Sequence, residues 1–258
     1  MSKRKSTATR RTQSQAAAQR AAAIRHEHER RERRRQTLLV TVVGIVVLAL
    51  VVLVTTLVSA SRDSTGESAT PPRGAVGGYA VPSGPSTAPV KVVVYEDFLC
   101  PFCGDLEAAG RASFQRDIDA GKVQFQYHVL SFLDEDSTTR YSTRAANALA
   151  VVLDSSGPRV AKRFHDLLFE NQPDEGSAGL SDSRLTDLAT QAGASRAEVK
   201  PGIDDLAFEP WVKKVTDRSS KDGVRATPTV SIDGTILTAE STEELVTQIE
   251  EAVSAGGN

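Results

Sequence analysis

Cys100 and Cys103 are the two cysteines of this 258-residue chain, and Pro101 and Phe102 stand between them. Thiols at positions i and i+3 of a first helical turn face the same side and can close into a small disulfide ring. Pro101 suits such a turn, because position N1 has no use for a backbone donor and the proline ring holds φ near the helical value. A helix N-terminus also presents unpaired N–H groups and about half a positive charge, both of which favour a thiolate over a thiol. Cys100 is therefore the expected thiolate and Cys103 its partner in exchange. Thiols so placed have pKa values anywhere from about 3.5 to 7.5. The more stable the thiolate, the more oxidising the disulfide. Phe102 brings neither a hydrogen bond nor a positive charge toward sulfur, so a less extreme oxidant is expected than one with histidine in its place.

Other chemistry finds less support. Two thiols cannot build a disulfide-dense scaffold or a four-thiolate zinc site. The pair could instead be a structural disulfide, or half of a metal site completed by His128 and His165. His165, among Phe164, Leu167 and Leu168, reads more simply as a packed helix histidine, so no metal is expected. Trp211, Phe208 and Val212 read as core. No nucleophile elbow and no glycine-rich phosphate loop is present.

The pair sits between a strand and a helix. Val90 to Tyr95 is β-branched and almost continuously apolar, as a central strand covered on both faces would be. Val123 to Val129 alternates with period two and puts His128 on its polar side. Helical periodicity follows at Thr139 to Leu153, Arg159 to Asn171, Asp182 to Ala192 and Phe208 to Asp222, broken by Gly157-Pro158, by Gln172 to Gly179 and by Pro201-Gly202. Thr229 to Leu237 reads as two short strands around Asp233-Gly234. A last helix, Thr242 to Ser254, carries Ser241 as cap and Glu244 as the second member of a capping box. Strand, helix, strand, several helices, hairpin and helix make an α/β domain over 90–258, with a helical insertion at about 139–222.

Ahead of it the charge changes sign. Residues 1–36 carry a net +9 and the rest of the chain −11, which excludes a uniformly basic nucleic-acid binder; no nucleic-acid partner is expected. Residues 37–58 are uncharged and dominated by Val, Leu and Ile. As a helix at about 1.5 Å per residue they would span a hydrocarbon core of about 30 Å. Five arginines between Arg30 and Arg35 precede the span, so the positive-inside rule expects a single-pass protein with its tail in the cytoplasm and its domain outside the cell membrane. A cleaved signal peptide would export the domain equally. Of residues 59–89, 24 are Gly, Pro, Ser, Thr or Ala, the composition of a flexible linker, although Gly77 to Val81 could already belong to the fold.

The stretch Tyr95-Glu96-Asp97-Phe98-Leu99-Cys100-Pro101-Phe102-Cys103 and the stretch Gly223-Val224-Arg225-Ala226-Thr227-Pro228-Thr229-Val230 resemble the active-site strand and the loop before the third strand of extracytoplasmic DsbA-like proteins. From Val90 onward the chain is similar to that branch of the thioredoxin superfamily. The resemblance implies a thioredoxin fold with a helical insertion, here preceded by a single transmembrane helix. It also implies a cis Pro228 beside the disulfide and a Thr227 backbone that receives an extended peptide. It implies oxidation of cysteine pairs in exported proteins, and recycling by a quinone-linked membrane oxidoreductase of the DsbB or vitamin-K-epoxide-reductase type. The redox group would be the Cys100–Cys103 disulfide, with no separate cofactor. Many relatives carry a buried acid six residues before the first cysteine, where this chain has Val94, so Glu96 becomes the candidate proton relay. A reductase or isomerase of the same fold, and a non-enzymatic copper chaperone, are the alternatives.

Overall fold

The computed structural model describes residues 69–256. The basic tail, the apolar span and residues 59–68 of the expected linker lie outside them. No helix among the described residues is long and apolar enough to cross a membrane.

Strand β2 (Val90–Glu96) is the middle of a five-stranded sheet and lies parallel to β3 (Val123–Val129) and antiparallel to β4 (Thr229–Ile232). Strand β5 (Thr235–Ile236) flanks β4 after the Asp233-Gly234 turn, in which both residues have positive φ. In β2 the fully buried positions are Val90, Val92, Val94 and Glu96, while Lys91, Val93 and Tyr95 are half-buried, so the strand is covered unequally on its two faces. Val94 pairs with Tyr127 on one side and Val230 on the other. The C-terminal ends of β2 and β3 and the start of β4 meet at one edge, where chemistry gathers in open α/β sheets.

Part of the expected linker is strand. Val81–Ser83 forms β1, antiparallel to β3 in the register Val81↔Tyr127, Pro82↔Gln126 and Ser83↔Phe125. Ala80, Val81 and Ala88 are buried. Small side chains cannot make a core of their own, but their backbone can pair with an edge that already has one, and a composition count is blind to that.

Helix α1 (Pro101–Asp119) turns Cys103, Leu106, Glu107, Gly110 and Phe114 inward at helical spacing. It packs against the last helix, α7 (Thr242–Gly256), which buries Leu245, Val246, Ile249 and Val253. The capping box is displaced by one residue: Ser241 accepts from the Glu244 amide at 3.2 Å, but the Glu244 carboxylate reaches the amide of Glu240.

Between β3 and β4 lie five helices: α2 (Tyr141–Ser156), α3 (Pro158–Glu170), α4 (Asp182–Ala192), α5 (Arg196–Asp204) and α6 (Glu209–Lys221). Helix α2 is their centre. Its alanines leave room for neighbours all round, and α3, α4, α5 and α6 all pack on it. Helix α5 corrects the expected turn at Pro201-Gly202. Val199 and Ile203, one turn apart, are buried, and Asn147 of α2 donates to the Gly202 carbonyl at 3.2 Å, so burial overrides the breaker signal of Pro201 inside the helix.

Candidate redox site

Cys100 ends the loop after β2 as the N-cap of α1, with extended backbone angles, and Pro101 opens the helix. The Cys103 and Gly104 amides both donate to the Cys100 carbonyl, at 3.0 and 3.2 Å, which closes the first turn around the two sulfurs. Both cysteines are thiols, Cys100 5% exposed and Cys103 1%. Phe102 between them is 64% exposed.

The environments of the two sulfurs diverge. A hydrogen bond from Cys103, helped by the Thr227 side chain and by the amide N–H groups of Cys103 and Phe102, outweighs burial and brings the Cys100 thiol down to about 6. Burial pushes Cys103 well above the ordinary thiol range, and its bond to Cys100 and the charges of Cys100 and Glu96 push the same way. One sulfur is held as an anion and the other as a thiol.

From the far end of the sequence, the loop before β4 closes the site. The Thr227–Pro228 peptide bond is cis, and the Cys100 sulfur lies 3.2 Å from the Thr227 carbonyl oxygen, to which it donates when protonated. Two grooves flank this point. One, of ≈ 540 Å³, is lined by Phe102, Thr227, Pro228 and Ile236, and the other, of ≈ 560 Å³, by Cys100, Phe132, Leu133 and Ala226. Cys100, Pro101, Phe102, Cys103, Thr227 and Pro228 are thus gathered in one place.

Behind the sulfurs two acids are buried. The Asp97 carboxylate accepts from the amides of Leu99 at 2.9 Å and Leu133 at 3.0 Å, pinning the active-site loop to the wall of the second groove. Burial raises its pKa to about 7 even so. Glu96 points into the core, on the same face of β2 as Val94 and two residues further along. Its Oε1 lies 2.7 Å from His165 Nε2, while its Oε2 has no hydrogen-bond partner. Burial raises the Glu96 pKa. Burial works against the charged form of His165 too, but Glu96 and Glu107 outweigh it and hold the imidazole proton up to about pH 9.

Sequence reasoning placed His165 as a packed histidine, which it is, among Phe98, Tyr127 and Phe169. It missed that the ring faces Glu96. Among the described residues neither cysteine nor His128 joins a metal-like cluster. The donor atoms of Glu96, Glu107 and His165 do lie within 4.8 Å of one another, but the cations here are protonated His165 and Lys162, whose Nζ is 4.0 Å from Glu107. His128 is half-buried against Tyr95, and burial takes its pKa to about 4. Gln172, read as part of a turn, braces the active-site loop by donating to the carbonyls of Phe98 and Cys100 at 3.1 and 2.9 Å. Gly104 was the available signal, since a Cβ there would overlap the Gln172 side chain. Trp211 and Val212 are core, as expected, and Phe208 packs against it.

A two-cysteine helix cap facing a cis proline on a thioredoxin-like sheet defines a dithiol–disulfide redox protein. The family described as thioredoxin matches residues 78–251, and the chain belongs to it, in the DsbA-like branch. Disulfide bond formation protein D of Bacillus subtilis is 30% identical over 156 residues, which span 60% of this chain and 68% of that protein. Reduced DsbA from Mycobacterium tuberculosis superposes with a TM-score of 0.58 and 30% identity, covering 69% of this chain and 97% of that one. Oxidised BdbD from Bacillus subtilis superposes with a TM-score of 0.59 and 26% identity, over 74% and 98% respectively.

Proposed function

We propose that this protein is a thiol–disulfide oxidoreductase that oxidises cysteine pairs in exported proteins. The observation that carries this reading is the opposed acidity of Cys100 and Cys103 within one helical turn. In the disulfide form a substrate thiolate attacks Cys100, the bond to Cys103 breaks, and Cys103 leaves and takes up a proton. The substrate's second thiol then attacks its own sulfur in the mixed disulfide and releases Cys100 as a thiolate, so two electrons reach the enzyme. A reduced form in which Cys100 is a stable anion favours that direction. Beside Cys100, Thr227 and Pro228 offer backbone to an extended substrate, and the apolar surface of Phe102 and Ile236 borders its path.

The +9 tail followed by an uncharged span supports attachment to the cell membrane through one helix, with the tail cytoplasmic and the domain outside. A tether raises the local concentration of a membrane partner, which suits recycling by a quinone-linked oxidoreductase of the DsbB or vitamin-K-epoxide-reductase type. Equilibration of the protein with glutathione buffers tests the direction. A potential well above the thioredoxin value of about −270 mV is expected, and a thioredoxin-like value would refute the oxidase.

A further inference from the structure

Cys103 must take up a proton when it leaves the disulfide and lose one when the disulfide reforms, yet its residue is 1% exposed. Its sulfur accepts a hydrogen bond from the Asp97 amide, at the peptide link to Glu96. The Asp97 carboxylate is engaged by two main-chain amides, whereas Glu96 Oε2 is unpartnered. Beyond Glu96 the polar atoms continue through His165, whose Nε2 lies 2.7 Å from Glu96 Oε1 and whose Nδ1 lies 3.4 Å from Asp166 Oδ1, with the Glu107 carboxylate alongside, within 4.8 Å of both Glu96 and His165. Asp166, with its side chain 20% exposed and paired to Lys162, lines a ≈ 700 Å³ cavity with Ser83 and Gln124. None of the redox-site residues Cys100, Phe102, Thr227 and Pro228 lines that cavity.

We infer that Glu96, His165 and Asp166 connect Cys103 to solvent on the far side of the domain, a proton taken from Cys103 by Glu96 being matched by one that His165 releases to Asp166. The inference rests on the oxidoreductase reading and adds to it a path and a positioning residue from the helical insertion. With the dithiol formed, Glu96 is anionic and His165 carries both ring protons. On reoxidation Cys103 gives its proton to Glu96 and His165 gives its Nδ1 proton to Asp166, which releases it to the cavity. One proton has left, and the pair is now a neutral acid beside a neutral ring. Reduction reverses both transfers: Asp166 returns a proton to Nδ1 and Glu96 protonates the departing Cys103 sulfur. Because the two passes run in opposite directions, the ring never has to flip, which its packing among Phe98, Tyr127 and Phe169 would resist. The other groups facing the relay are Glu107 of α1, Tyr127 of β3 and Lys162 of α3. Lys162, 4.0 Å from Glu107 and paired to Asp166, offsets the negative charge around the path.

Single-turnover reduction of the oxidised full-length protein by dithiothreitol, followed from pH 5 to 9 by acid-quenched thiol trapping, tests the path. His165→Gln and Asp166→Asn are each expected to slow Cys103 release about tenfold or more at pH 7, the scale of a lost general acid. The alkylation midpoint of Cys100 should not move in either variant. In His165→Ala, added imidazole should restore the rate, whereas pyrrole, of the same shape but without a basic nitrogen, should not. Unchanged rates and pH profiles in Asp166→Asn, or equal rescue by the two rings, would overturn the path. If the wild-type protein itself fails to exchange with dithiothreitol, the oxidoreductase reading falls and the path with it. Normal wild-type exchange with unaffected variants removes the path alone.

Discussion

At the scale of single residues, the acidity of Cys100 is made mostly by its neighbour. The hydrogen bond from Cys103 is the largest of the influences that bring it to about 6. Alkylation of the reduced protein by iodoacetamide should therefore show a midpoint near pH 6, the rate dropping about tenfold per unit below it, because only the thiolate reacts. Cys103→Ala should move that midpoint upward, and an unmoved one would mean that the helix N-terminus alone sets it. Gly104→Ala acts from the other side. The new methyl displaces Gln172, whose amide then no longer holds the Phe98 and Cys100 carbonyls. Faster amide exchange at Leu99 and Phe102 is expected, with the fold retained. Glu96 shows what residue type and position can and cannot disclose: the missing acid at Val94 was legible, but the pairing of Glu96 with His165, 69 positions away, was not.

Among elements, the joint between α2, α5 and α6 rests on one side chain. Asn147, fully buried, donates to the Gly202 carbonyl at 3.2 Å and accepts from the Phe208 amide at 2.7 Å, so it caps the end of one helix and the start of the next. Asn147→Ala leaves the Phe208 amide without its partner, while the Gly202 carbonyl keeps its bond from the Ala207 amide, so a cost of about 1–3 kcal/mol is expected. A lower urea midpoint at unchanged slope is the expected result, and a midpoint equal to that of the parent would show that water replaces the amide. The four helices with clear periodicity were legible to within three residues at each end, because each buries one stripe of itself. Helix α5 was not, since its two buried positions, Val199 and Ile203, give too short a pattern to outweigh Pro201-Gly202.

For the whole molecule, the buried pair of Glu96 and His165 makes stability depend on pH. His165 is held protonated up to about pH 9, above its ordinary value of 6.5. Its contribution is complete below about pH 6.5 and is lost as pH rises through 9. The raised pKa of Glu96 acts in the same sense, because the folded state binds more protons than the unfolded one. In the disulfide form, where Cys100 does not titrate, the pair as a whole still holds one proton more than the same two groups do unfolded, whichever of them carries it, so the urea midpoint should fall between pH 6.5 and 9, and His165→Gln should flatten that fall. A midpoint that rises over this range would contradict a protonated pair.

What the amino-acid order decided was local. The cysteine spacing, Pro101, the alternation of Val123 to Val129 and the Asp233-Gly234 turn act within a few residues, so their consequences could be read from the chain. Tertiary structure alone decided which other distant groups meet: Val81 against Tyr127, Gln172 under the active-site loop and His165 beside Glu96. Burial is the reason. An acid and an imidazole far apart in the chain acquire their altered protonation only when packing removes water from both and leaves each as the other's partner.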